Sequence, residues 1–204
     1  MTIAAGFNCS DGLLFCSDTQ HTWTATMKLH ASKIFRKEYG SSGAKSIISV
    51  IGDIPYGRMA MQRIERAFEE MKPEEMTIRG LRDVIEDQIV DIHSVHIHPH
   101  PDRERVGFDL LIGLWSDVDK KLAMFSTHDT AINQLFGYTC FGVGEYLAHF
   151  VIRPKWIPPI TCETIRPIAI KALDSVKGFV DGCGGFTDVI VLRSDGKLGQ
   201  VERI

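Results

Sequence analysis

The chain has 204 residues, 44% of them hydrophobic and 24% charged, with a net charge of −3. That length buries a substantial core, and the composition is that of an ordinary soluble globular protein. No basic block points to nucleic acid, and no apolar run reaches the length of a membrane span. The five cysteines, Cys9, Cys16, Cys140, Cys162 and Cys183, are scattered and form no C-x-x-C pair. They read as reduced thiols in a cytoplasmic protein, not as a disulfide frame. No signal peptide is expected from the N-terminal residues.

The first strand is expected over Ile3 to Phe7, and the turn formers Asn8-Cys9-Ser10-Asp11-Gly12 should reverse the chain into a second strand over 13–19. Residues 20–31 show no clear period. Short strands follow over 32–36 and 46–51, separated by a Gly40-Ser41-Ser42-Gly43 turn and closed by Gly52-Asp53. The period then lengthens: Ala60, Ile64, Ala67, Phe68 and Met71 predict an amphipathic helix over 57–71 that Lys72-Pro73 stops. A second helix begins at an N-cap Thr77, carries Ile78, Leu81, Ile85, Ile89, Ile92 and His96 on one stripe, and ends at His98-Pro99-His100-Pro101.

Strands return over 106–115 and 121–126, joined by a hairpin-like connection, and again over 138–143. Gly142-Val143-Gly144 opens a short helix reaching Phe150, and Pro154, Pro158 and Pro159 mark a loop. A helix over 163–180, with Pro167 in its first turn, ends at Gly182-Cys183-Gly184-Gly185 before a last strand over 186–192. Strands and helices come in blocks, which argues against βαβ units. The class expected is α+β: two antiparallel sheets stacked together with helix pairs on the outer faces, in a single domain over 1–204.

His93, His96, His98 and His100 crowd the end of the second helix. His93 and His96 are at i and i+3 and could meet on one face, but no partner at ligand spacing lies nearby. The tract reads as a solvated, proline-broken helix end, and no metal or other cofactor is expected.

Several stretches resemble the proteasome β-subunit family of N-terminal-nucleophile hydrolases, of the bacterial proteasome-homologue type. They are Thr2-Ile3-Ala4-Ala5-Gly6 with Asp11-Gly12 and Ser17-Asp18, Ser32-Lys33-Ile34, Ile51-Gly52-Asp53, Phe141-Gly142-Val143-Gly144, and Gly184-Gly185 before Asp188-Val189. The resemblance spans nearly the whole chain and implies the four-layer αββα sandwich of that family. It implies that Thr2, exposed by removal of Met1, is a nucleophile whose own α-amine is the base, with Lys33 beside it and Asp18 holding Lys33. It further implies an oxyanion donor among the backbone N–H groups near Ser49, with Ile47 and Ile51 lining an apolar pocket.

Supporting positions depart from the family. Val143 stands where a serine is usual. Cys183 falls at another serine position, and Val180 or, with a one-residue shift, Asp181 falls at an aspartate. The activity implied is that of a threonine endopeptidase acting on peptides or unfolded proteins in stacked homo-oligomeric rings, with any ATPase unfoldase a separate chain. The alternatives are a ring subunit without catalysis and an amidohydrolase for a small amide.

Overall fold

The computed structural model describes residues 2–22, 28–40, 43–102 and 106–204. The chain opens with β1 (Ile3–Cys9) and β2 (Gly12–Asp18), joined at the expected turn. Two short strands follow, β3 (Gln20–Thr22) and β4 (Lys28–His30), where no period was legible. Next come β5 (Ile34–Tyr39) and β6 (Ala44–Gly52). Ser41 and Ser42 of the expected turn between them lie outside the described residues, as does Met1.

Helix α1 (Ile54–Glu70) is capped by Asp53, whose side chain accepts the Tyr56 N–H, and begins three residues before the predicted start at 57. Helix α2 (Ile78–Ile92) starts after Thr77, whose hydroxyl accepts the Gly80 N–H, as predicted. It passes into one π-helical turn over His93–Ile97. Strands β7 (Phe108–Ser116), β8 (Lys121–His128), β9 (Ala131–Leu135) and β10 (Tyr138–Gly142) follow. The last elements are α3 (Glu145–Ile152), α4 (Cys162–Phe179), β11 (Thr187–Arg193) and β12 (Glu202–Arg203). Pro167 lies inside α4, past its first turn, on the exposed side where its missing N–H disturbs no packing.

The fold is α+β with three antiparallel sheets among the described residues, ordered β10-β1-β2-β11-β12, β5-β6-β7-β8-β9 and β3-β4. The expectation of two sheets missed the two-stranded one. Side chains alternate across each five-stranded sheet, so each has two apolar faces. Ile48, Val50, Leu110, Ile112 and Phe125 pack under α1 and α2, against Ile64, Phe68, Leu81 and Ile85. Ile3, Ala5, Phe7, Leu14 and Val189 pack under α3 and α4, against Ala148, Ile165, Ala169 and Leu173. The remaining faces meet one another: Ala4, Leu13, Phe15 and Ile190 from one sheet join Ile47, Ile51, Leu111 and Met124 from the other.

The histidine tract is not a solvated end throughout. His93 is buried, its ring 5.4 Å from that of Phe108, and burial lowers its pKa. His96 is only partly buried and meets Arg63 instead of extending the apolar stripe. Among the described residues no cluster of His, Cys, Asp or Glu is arranged to hold a metal ion.

Candidate active site

Strand pairing gathers the N-terminal residues, Asp18, Lys33 and the Gly184 turn at one end of the two large sheets. Asp18 closes β2, paired to Thr187 of β11, and is completely buried. Three donors converge on its carboxylate. The Ile3 N–H reaches Oδ1 at 3.0 Å, Lys33 Nζ reaches the same oxygen at 2.7 Å, and the Gly184 N–H reaches Oδ2 at 3.1 Å. One oxygen therefore ties the residue after Thr2 to the Lys33 ammonium.

Lys33 precedes β5 and has a side chain with no solvent exposure. Burial pulls its pKa down, and the Asp18 carboxylate opposes that shift. The buried charge is tolerated because its partner is close and the partner's remaining oxygen is also hydrogen-bonded.

Thr2 is 1% exposed, and its Oγ1 has no hydrogen-bond partner among the described residues. A buried hydroxyl left unsatisfied is costly enough to require an explanation. The Thr2 carbonyl accepts the Val143 N–H at 2.9 Å. Gly142 makes that approach possible, since at φ +104° any Cβ would come within 2.0 Å of the Thr2 oxygen. A cavity of about 460 Å³ opens beside Thr2, walled by Ile51, Gly52, Asp53, Gly107, Gly142 and Val143.

The other expected residues divide. Cys183 is buried, its thiol 3.5 Å from the Val143 carbonyl, and burial together with the Asp18 charge raises its pKa to about 11. It is therefore a protonated, weakly donating group beside the ion pair. Asp181 is exposed on the turn after α4, and no hydrogen bond or ion pair among the described residues joins it to Thr2, Asp18 or Lys33. Val180 contacts the α3–α4 core, which occupies its side chain.

Ser49 is buried in the middle of β6, paired to Ile34 and Leu111, and is not in the wall of the Thr2 cavity. Ile47 lies deeper between the sheets, whereas Ile51 does reach the cavity. Gly52, the last residue of β6, lines it as well. N–H groups alternate in direction along a strand. Val50 donates to the Lys33 carbonyl on the β5 side and Asp53 donates to Gly107 on the β7 side. By this alternation the Ser49 N–H points into the β7 ladder, whereas Gly52, at φ +85°, leaves the regular strand geometry where it meets the cavity.

Two further residues were not legible in the sequence. His21, on β3, is buried with Nε2 3.2 Å from the Ala31 carbonyl. Burial lowers its pKa, with Lys33 and Arg58 adding to the shift and Asp18 opposing it. Arg58, on the first turns of α1, is exposed with its guanidinium 5.4 Å from the Phe35 ring. A lone histidine in a stretch without period and one arginine on a polar helix face give no signal of their own.

No family model and no curated protein matches the sequence. Solved structures do match in shape. The Gly-1 mutant of Anbu from Hyphomicrobium sp. strain MC1 superposes with a TM-score of 0.85 at 11% identity, covering 100% of this chain and 87% of the other. Anbu, the ancestral β-subunit, from Yersinia bercovieri gives 0.84 at 13% identity, with 100% and 87% covered. The helical assembly of the Anbu complex from Pseudomonas aeruginosa gives 0.82 at 12%, with 100% and 86% covered. These findings correct the attribution to the proteasome β-subunit family: no family model supports it, and the likeness found is to Anbu structures. At such low identity what is shared is the fold.

Proposed function

We propose that the chain is an N-terminal threonine hydrolase of amide bonds, an endopeptidase acting on peptides or unfolded proteins. The observation that carries this reading is the buried, unpartnered Thr2 hydroxyl at a cavity, one residue from an N–H that shares Asp18 with Lys33. Removal of Met1 frees the Thr2 α-amine. An α-amine titrates near 8, and the nearby ammonium favours its neutral form. The amine takes the Oγ proton as Oγ attacks the substrate carbonyl. The tetrahedral intermediate collapses, the proton passes to the leaving nitrogen, and an ester links the acyl group to Thr2. Water, deprotonated by the same amine, releases the acid and restores the hydroxyl.

In this mechanism Lys33 supplies a fixed positive charge and Asp18 orients it. The oxyanion donor expected near Ser49 is, in our reading, the N–H of Gly52, the β6 residue that lines the cavity beside Thr2. Cys183 and Val143 hold the turn against Thr2 through the thiol–carbonyl contact, and Asp181 has no part in the first contacts.

We read the stacked sheets and their covering helices as the four-layer αββα sandwich, in one domain over 1–204. Association into a homo-oligomer of stacked subunits is supported by exposed apolar side chains on the α3–α4 side, Tyr146 (73% exposed), Phe150 (78%) and Phe179 (84%). An Anbu structure is itself described as a helical assembly. Five buried thiols, none in a disulfide, suit the cytoplasm. No helix among the described residues is long and apolar enough to cross a membrane. An ATPase unfoldase, if one serves this protein, is a separate chain.

A second reading, a ring subunit without catalysis, is favoured by Val143, which puts an apolar side chain at the cavity wall. Hydrolysis of a casein or fluorogenic-peptide panel separates the two. Turnover abolished by Thr2→Ala supports the hydrolase, and no turnover by protein proven to begin at Thr2 refutes it.

A further inference from the structure

A second cavity, again about 460 Å³, lies beside the first and shares Gly52 and Asp53 with it as a common wall. A peptide whose scissile carbonyl sits at Thr2, with its oxygen toward Gly52, can put the side chain on the acyl side of that carbonyl over this wall. The position follows from the proposed function and rests on it. What the cavity selects follows from its own residues. Leu29, Ala31, Ile54 and Pro55 make apolar walls that suit methylene groups. The polar lining includes His21 and Arg58.

Two groups of that lining are already engaged. His21 Nε2 donates to the Ala31 carbonyl, so that nitrogen is taken. Asp53 is the carboxylate of the wall, and its Oδ1 accepts the Tyr56 N–H as the cap of α1. Arg58 is different. Its guanidinium rests over the Phe35 ring, and no carboxylate among the described residues forms an ion pair with it. Stacking on an aromatic face leaves the edge of the guanidinium, with its N–H donors, open to a planar anion. Apolar walls with such an edge in the same lining match a side chain with a short methylene stem and a terminal carboxylate.

We propose that this cavity receives the side chain preceding the scissile bond and that Arg58 makes it select an acidic one, glutamate above leucine and both above lysine. Arg58 is then a specificity-determining residue, and the substrate class is peptides cleaved after acidic residues.

The test uses the protein beginning at Thr2 and three peptide epoxyketones that differ only in the residue next to the warhead: glutamate, leucine or lysine. Adduct formation is followed by intact mass. The glutamate probe should react about fivefold faster than the leucine probe, the scale of one partly exposed ion pair. Arg58→Gln should erase that preference, and Arg58→Glu should put lysine first. A small β-lactone with no side chain reaching this cavity should label wild type and both variants at the same rate. Leucine first in wild type, or an unchanged order in Arg58→Glu, overturns the proposal.

If the β-lactone labels nothing, the nucleophile reading has failed. The cavity is then read by calorimetric binding of N-acetyl-Ala-Ala-Glu amide against its leucine counterpart. Tighter binding of the glutamate peptide, lost in Arg58→Gln, sustains the selectivity, and equal binding ends it.

Discussion

Replacing Asp18 by asparagine keeps shape and removes charge. The carboxylate is completely buried and accepts two backbone N–H groups and the Lys33 ammonium. Asparagine can keep one acceptor, so one donor now faces an NH2 group and loses its bond, at about 1–3 kcal/mol for the unsatisfied pair. The larger cost is that Lys33 remains buried without its carboxylate; breaking a buried ion pair from one side costs roughly 3–5 kcal/mol. These costs overlap, because Lys33 can lose its proton. Its folded pKa is already lowered by burial, and without Asp18 it falls further below the ordinary lysine value of 10.5.

We therefore expect Asp18→Asn to lose about 3–5 kcal/mol at pH 7 in urea unfolding followed by circular dichroism, a large share of the stability of a typical domain. The sign with pH follows from linkage. The native variant binds fewer protons at Lys33 than the unfolded chain, so its stability rises with pH and the deficit narrows by pH 9. Lys33→Met, which leaves Asp18 its two backbone donors, should cost less than Asp18→Asn. A loss under about 1 kcal/mol at pH 7, or Lys33→Met costing more, would refute the reasoning.

Other expectations follow from the same structure. Gly142→Ala forces a methyl group into the Thr2 carbonyl at a left-handed backbone position, and should lower stability by roughly 2 kcal/mol or more while abolishing reaction at Thr2; differential scanning calorimetry and adduct formation check both. His21 and His93 both have pKa values lowered by burial from 6.5. The unfolded chain then binds more protons than the folded one below that value, so stability should be steady above pH 7 and fall as pH drops through 6.5. Thermal melts between pH 7.5 and 5 measure this, and His93→Phe should flatten the decline. Tyr146→Glu combined with Phe150→Glu should shift the protein toward smaller species in light scattering, with little change in melting temperature, if those side chains lie between subunits.

The sequence carries long-period and fully buried elements well and short polar ones poorly. Helices α1 and α2 were legible because apolar residues recur on one face and because Thr77 and Pro73 sit where caps and stops belong. Strands β6 and β7 are runs of buried aliphatic residues. The pair β3–β4 has three residues in each strand, with β4 fully exposed, and β9 is an exposed edge, so neither has an apolar alternation to read. At the site, Asp18 and Lys33 could be named in advance and meet at 2.7 Å. His21 and Arg58 could not, because sheet stacking and the start of α1 bring them to the cavity from stretches with no motif. Counting back from Gly184 reaches Val180, and Asp181 only with a one-residue shift; Val180 packs against the α3–α4 core and Asp181 is exposed on the turn after α4.

The most direct test of the central claim is the intact mass of the purified protein before and after an α′,β′-epoxyketone, a reagent that must bond to both a hydroxyl and a free α-amine on one residue. The account predicts a chain beginning at Thr2, a single adduct localised to Thr2 by peptide mapping, and no adduct in Thr2→Ala or Lys33→Ala. A chain that begins at Thr2 and forms no adduct, or an adduct that survives Thr2→Ala, would contradict it.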